Sequence, residues 1–109
     1  MYLRCSYSIM ETVNGLTFEW DKRKNASNQR KHSASFEEAE SAFADEGGRL
    51  IADPDHSDQE DRFILMGMSA RLRLLIVCHC YREGDTIRII SARRANRSER
   101  TQYEAYKNA

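Results

Sequence analysis

The feature that most constrains the fold of this chain is a change of hydrophobic period at Gly47 and Gly48. Before the two glycines, Phe36, Ala39 and Phe43 recur at the spacing of one helical face. After them, apolar residues alternate with polar ones or run continuously, as they do in strands. Because helix and strand side chains repeat with different periods, we predict a helical first half and a sheet-forming second half.

Local signals then give the order of the elements. Two helices are predicted after a first strand at residues 16–20: one from the cap Asp21 to Lys31, and one begun by Ser35 and Glu38, which can satisfy each other's backbone N–H groups. Strands are predicted at residues 49–53, 62–69, 72–81 and 86–93. A charged helix over residues 97–107, capped by Asn96 or Ser98, ends the chain. The predicted fold class is α+β, with two N-terminal helices and a C-terminal helix packed on an antiparallel sheet of about four strands.

One domain is expected over residues 16–109. The segment 1–15 shows no period and is expected to be a disordered N-terminal extension, with Met10 as an alternative start. No run of about eighteen apolar residues is present, so no membrane contact is expected. Three cysteines give no disulfide framework, which favours a reducing compartment and a cytoplasmic location.

The net charge of zero hides a strong asymmetry along the chain. Residues 35–61 carry ten acidic side chains and one basic, so the remaining segments are basic. A fold that gathers the basic segments on one face would bind anions. The alternative is that these charges are spread as solvated faces; the acidic segment likewise is either solvated or a surface for a partner.

Metal and cofactor signatures are not apparent. The sequence has no phosphate-binding glycine loop, no HExxH and no paired CxxC. In Cys78-His79-Cys80, strand alternation puts the two thiols on one face and the imidazole on the other, so we expect two small core thiols and no metal site. We predict that no cofactor is required.

The segment Ile87 to Arg100 is rich in arginine, whose planar guanidinium matches phosphate oxygens in pairs. Strict alternation predicts that Arg93 shares a face with Ile89 and Ser91, and Arg94 the opposite face with Ile90 and Ala92. An arginine cluster with a histidine suits RNA cleavage in which the substrate's own 2′-hydroxyl attacks the phosphate.

Four segments together resemble the BrnT family: FEWDKRKNASNQRKH, SFEEAESAF, DRFILMGMS and IRIISARRANRSERTQYE. The resemblance covers about Leu16 to Tyr106. It implies a RelE-like fold and an endoribonuclease toxin that arrests translation, neutralised by a BrnA-like ribbon-helix-helix antitoxin. The complex is expected to bind promoter DNA only through the antitoxin. One departure is Ser33, where the family usually has a glycine that ends the first helix.

The resemblance also suggests a set of functional residues. The candidates for catalysis are the histidines and arginines His32, Arg62, His79, Arg82, Arg93 and Arg94, and the candidates for RNA contact are Trp20, Lys31, Glu60 and Arg97. Trp20 could stack on a base or be a core aromatic. His32 could transfer a proton or end its helix with a hydrogen bond, and Arg62 and Glu60 could form an exposed ion pair instead. The alternative function is a noncatalytic RNA-binding or scaffolding module with the same fold.

Overall fold

The computed structural model describes residues 9–13, 15–52, 62–82 and 85–107. Its elements, in chain order, are β1 (Ile9–Val13), β2 (Leu16–Trp20), α1 (Lys22–His32), α2 (Phe36–Ala42), β3 (Arg49–Ala52), β4 (Arg62–Met68), β5 (Leu74–Arg82), β6 (Thr86–Arg94) and α3 (Arg97–Lys107). The strands form one sheet in the order β1-β2-β6-β5-β4-β3. None of the helices within these ranges is long and apolar enough to cross a membrane.

The predicted α+β class is confirmed, and the sheet is larger than predicted. Strands β3 to β6 form the expected antiparallel meander. β2 extends the sheet through a parallel pairing with β6, and β1 pairs antiparallel with β2. The sheet is therefore mixed. The sequence did not predict this, because a parallel neighbour cannot be read from strand patterns alone.

The strand β1 lies inside the segment that we predicted to be disordered. Residues 9–13 pair with β2 through a turn at Gly15, whose φ of 82° suits a glycine. The prediction of disorder is therefore wrong for these five residues, because backbone pairing with β2 holds them without a periodic side-chain pattern. The domain boundary itself stays a prediction. The predicted loop at Pro54–Gln59 and the turn residues Glu83 and Gly84 lie outside the described residues.

One face of the sheet is covered by α1 and α2, and we call it the helix-hairpin face. Its core joins aromatic and aliphatic side chains from the helices and from β2, β4, β5 and β6, among them Phe18, Trp20, Phe36, Leu75, Val77, Ile87 and Ile89. Asn28 of α1 fastens this layer to the sheet: its amide donates to the carbonyls of Ala34 (2.8 Å) and Ala92 (2.7 Å) and accepts from the Ala92 N–H. Buried amides persist only with such partners.

The opposite face, which we call the open face, is covered by α3 at one end only. Tyr103 of α3 is buried there against Met66, Leu74 and Ile76. Its hydroxyl donates to the Asp45 carboxylate at 2.5 Å, and Asp45 also accepts from the backbone N–H of Met68. Burial and this carboxylate together raise the pKa of Tyr103 to about 12, so the hydroxyl remains a donor.

The helix ends follow local sequence signals, with one exception. Asp21 caps α1, and its carboxylate accepts from the backbone of Arg23 at 2.8 Å. A complete capping box forms at the start of α3, where Asn96 and Glu99 each accept from the other's backbone N–H at 2.8–2.9 Å. At α2 the predicted box is half formed: the Ser35 hydroxyl accepts from the Glu38 N–H, while the Glu38 carboxylate turns to other partners.

A β-bulge interrupts β6 opposite Cys78 and His79. Cys78 is paired with Ser91, but His79 is paired with Ile89, so β6 carries one extra residue, Ile90. Ile89 and Ala92 consequently both belong to the helix-hairpin core. Our prediction that Ile89 shares a face with Arg93 is therefore wrong, because the extra residue shifts the alternation beyond it.

Candidate functional site

The part of the open face beyond α3 carries three arginines around one cysteine. Arg62 of β4 and Arg88 of β6 both lie directly opposite Cys80 of β5. Arg82 follows two positions later on β5 and so points to the same face. Facing side chains in a sheet start about 5 Å apart, so the three stems rise from a patch about 10 Å across. We call Arg62, Arg82 and Arg88 the arginine surface.

The surroundings of the arginine surface differ from one arginine to the next. Arg82 is exposed, Arg62 and Arg88 are half-buried, and Cys80 beneath them is only 4% exposed. Partial burial lowers the pKa of Arg88, although an arginine remains charged at any relevant pH. Three positive charges held close together beside a partly desolvated wall attract an anion more strongly than the same charges dispersed in water.

Arg88 was not among the residues predicted from the sequence. The signal that could have found it is the hairpin register: placing a short turn between β5 and β6 sets Arg88 opposite Cys80, on the face of Arg82. The same register argument extends to β2, where Glu19 lies beside Arg88 in the parallel pairing and is half-buried. A carboxylate thus stands at the border of the arginine surface.

Arg93 lies on the open face but is committed to α3. Its guanidinium donates to both carboxylate oxygens of Glu99, at 2.9 and 2.7 Å. The Glu99 carboxylate holds the pKa of the Arg93 guanidinium above its usual value, and the guanidinium lowers the pKa of Glu99. The hydrogen bonds between the two side chains are the main cause of both shifts. Since Glu99 also completes the cap of α3, Arg93 positions this helix. Arg97, a candidate for RNA contact, begins this helix and is exposed.

His79 is a core residue of the helix-hairpin face. Its side chain is fully buried and packs edge-on against the rings of Phe43 (4.9 Å between centroids) and Tyr81 (5.3 Å). Burial lowers the pKa of His79 to about 4, so the ring is neutral at neutral pH. It also points away from the face that carries the arginine surface. The prediction that His79 transfers a proton to RNA is therefore not supported by this geometry.

Trp20 is also part of the core. It has no exposed surface and meets Phe36 edge-on at 6.2 Å between centroids. Base stacking needs an accessible ring face, which Trp20 lacks in this structure. Of the two roles left open by the sequence, the position of Trp20 in this structure is that of a core aromatic.

The remaining predicted residues lie at the other end of the sheet. Lys31 and His32 are exposed at the end of α1, and Arg94 is exposed at the end of β6. Arg94 is paired with Leu75, seven positions along β5 from Arg82, a separation of about 23 Å. The predicted site residues are therefore not one cluster, and Glu60 lies outside the described residues.

The link between α1 and this end of the sheet is a buried ion pair. Glu38 of α2 is almost fully buried, and its carboxylate accepts from the Arg73 guanidinium and from the Ser69 hydroxyl (2.7 Å). Arg73 also donates to the carbonyl of Ser33, at 2.8 Å. Hydrogen bonding from Arg73 is the main cause that lowers the pKa of Glu38. Ser33 adopts a left-handed backbone, with φ of 57°, a conformation that glycine adopts more readily than serine.

Among the described ranges, no group of three or more histidine, cysteine, aspartate or glutamate side chains converges in a way that could hold a metal ion. Neither Cys78 nor Cys80 forms a disulfide; the first is half-buried and the second buried, on the face opposite to His79.

Comparison with known proteins supplies the family context of this geometry. The family model described as the ribonuclease toxin BrnT of type II toxin–antitoxin systems matches residues 20–99. Among solved structures, the fold is similar to that of the Brucella abortus ribonuclease toxin BrnT, with 21% identity, coverage of 72% of this chain and 94% of that chain, and a TM-score of 0.57. At this identity the likeness concerns the fold alone. No curated protein matches the chain.

Proposed function

This chain belongs to the BrnT family of ribonuclease toxins of type II toxin–antitoxin systems, and from that premise we propose that it cleaves RNA on the arginine surface without a metal ion. The observation that carries the proposal is the convergence of Arg62, Arg82 and Arg88 from three neighbouring strands onto one open face. Cytoplasmic RNA would lie across this face with a phosphate over the buried Cys80.

The chemistry proposed is an attack by the RNA's own 2′-hydroxyl on the adjacent phosphate. Glu19, beside Arg88 in the register of β2 and β6, accepts the hydroxyl proton. The bond between phosphorus and the 5′ oxygen of the next nucleotide breaks, and that oxygen takes a proton from solvent. The products are a 2′,3′-cyclic phosphate and a 5′-hydroxyl. The arginines hold the non-bridging oxygens, whose negative charge grows in the transition state.

The other predicted residues receive different roles in this proposal. Arg93 fixes α3 beside the site through Glu99. Lys31, His32 and Arg94 sit at the far end of the sheet, where they could hold a more distant part of the RNA. Neutralisation by a ribbon-helix-helix antitoxin, and promoter binding through that antitoxin, are proposed from the family.

The test is cleavage of a defined RNA by purified protein in excess EDTA. Replacing Arg82 or Arg88 by alanine should lower kcat about 10²–10³-fold, the usual loss when a transition-state donor is removed. A single 2′-deoxy substitution at the cleaved position should abolish cutting there. Arg71→Ala is the matched control, because Arg71 is an exposed arginine on the loop between β4 and β5 and should change kcat less than about twofold.

Two outcomes would contradict the proposal. Loss of cleavage in Arg94→Ala and Lys31→Ala, with Arg82→Ala and Arg88→Ala unaffected, would move the site to the end of α1. Intact RNA together with tight RNA binding by the wild-type protein would favour the noncatalytic binding module.

Glu19→Gln should lower kcat while leaving RNA affinity within about twofold, because it removes a proton acceptor and keeps the shape of the side chain.

A further inference from the structure

The strand β3 has an outer edge that no other strand of the described sheet covers. It is the last strand in the order and pairs only with β4. Its two central residues are apolar and exposed: Leu50 is 50% exposed and Ile51 is 47% exposed. A strand edge with a free row of backbone groups and apolar side chains is a template for another strand.

A groove opens directly beside this edge, on the open face. It has a volume of about 250 Å³ and lies between the sheet and α3. Its walls are apolar at Ile51, Ile64, Met66 and Ile76. Arg49 and the ion pair between Arg93 and Glu99 stand at its rim. A segment that paired with β3 would thus find a pocket for one of its alternate side chains next to the strand.

The charge at the rim favours an acidic partner. The Arg49 guanidinium lies over the Tyr106 ring, 4.2 Å from its centroid, and makes no ion pair within the described part of the chain. Arg62 of the arginine surface lies one position beyond the pairing of Ala52 with Phe63. An extended segment running along β3 would therefore meet the positive charge of Arg49 at the first residue of the strand.

We propose that an extended segment of the cognate antitoxin, with acidic residues flanking apolar ones, adds to the edge of β3 and places one apolar side chain in the groove. The proposal rests on the proposed function, since it supplies the surface for its partner. The added segment would lie two strand positions from β4, which carries Arg62, so the antitoxin would be anchored near the arginine surface.

The test uses the purified full-length cognate antitoxin and three variants of the complete toxin. Ile51→Asp should weaken antitoxin binding by about 30-fold or more, the usual loss at a buried anchor of an interface. Leu50→Asp should weaken antitoxin binding about fivefold, because Leu50 points to the helix-hairpin face of the sheet and the groove is on the open face. Leu72→Asp is the matched control: Leu72 is 82% exposed in the loop before β5, and its variant should bind within about twofold of wild type.

Backbone hydrogen exchange gives an independent measurement. The amides of Arg49–Ala52 that point away from β4 should exchange at least about tenfold more slowly in the complex than in the free toxin. Unchanged exchange there, or full antitoxin affinity of Ile51→Asp, would overturn the proposal. A third outcome would also overturn it: sedimentation could show a toxin dimer that Ile51→Asp dissociates while the affinity for the antitoxin stays intact. The edge would then bind a second copy of the chain.

Failure of the docking surface and failure of the proposed function give different results. Leu50 and Ile51 lie outside the arginine surface, so both variants should cleave RNA at the wild-type rate. If they cleave RNA and are still neutralised, the docking surface is wrong and the nuclease stands. If the wild-type toxin never cleaves RNA but loses its antitoxin through Ile51→Asp, the docking surface stands and the nuclease is wrong.

Discussion

The two faces of the sheet are built on different principles. The helix-hairpin face encloses the rings of Phe18, Trp20 and Phe36, and the buried amide of Asn28 is hydrogen-bonded within it. The open face buries a smaller core under a single helix and leaves three arginines around Cys80. Substitutions on the first face should change stability, and substitutions on the exposed part of the second should change activity with little effect on stability.

The largest effect expected is that of Trp20→Ala on the helix-hairpin face. Removing this fully buried ring should lower the free energy of unfolding by about 3–5 kcal/mol, from lost apolar burial and the cavity left behind. Urea denaturation measures the change, with Arg82→Ala as a comparison expected to stay within about 0.5 kcal/mol of wild type. The comparison of faces breaks if Trp20→Ala keeps its stability and loses RNA binding, because the ring would then contact RNA.

A pH-dependent loss of stability should identify His79 as a core group. Its pKa is about 4 when folded and near 6.5 when unfolded, so below pH 6.5 only the unfolded chain takes up the proton. Stability should be constant with respect to this group above pH 6.5 and fall by up to about 3 kcal/mol as the pH drops to 4. His79→Leu should remove this slope between pH 6.5 and 5, while the rate of RNA cleavage at neutral pH stays within about twofold of wild type. A lost cleavage activity in a folded His79→Leu protein would restore His79 as a catalytic residue.

The smallest effect expected concerns the helix on the open face. Asn96→Ala removes one side of the capping box of α3 and should cost about 1 kcal/mol. Hydrogen exchange should then accelerate in the first turn of α3, and the melting temperature should fall by a few degrees. If the melting temperature is unchanged, α3 unfolds separately from the sheet and the open face is less integrated than the structure indicates.

Local signals in the sequence were sufficient for most elements. Asp21 and Asn96 cap their helices through neighbours two or three residues away, and such contacts can be read from the chain. Glu38 could not be placed in this way, because its partner Arg73 is distant in sequence and provides a stronger interaction than the predicted capping bond. A buried carboxylate is stabilised most by a charged partner that also satisfies its hydrogen bonds.

The candidate site was only partly accessible to the same reasoning. Arg62 and Arg82 were predicted from the family resemblance, but their convergence with Arg88 depends on which residues face each other across three strands. His79 and Trp20 were placed among the candidates because sequence does not report how deeply a ring is buried. The structure separates the two groups by burial, which is a property of the packed fold.

Because β6 carries an extra residue, the number of residues between Arg88 and Arg93 matters to the site more than the type of residue at the bulge. Arg88 and Arg93 are an odd number of positions apart, and in an uninterrupted strand they would point to opposite faces; Ile90 restores them to the same one. The bulge, and not the side chain of Ile90, sets which face Arg93 occupies, so the identity of Ile90 should be open to change. In an uninterrupted strand, two arginines with one residue fewer between them would also share a face, so the number of residues at this point has to be read together with the bulge in deciding which homologues share this architecture.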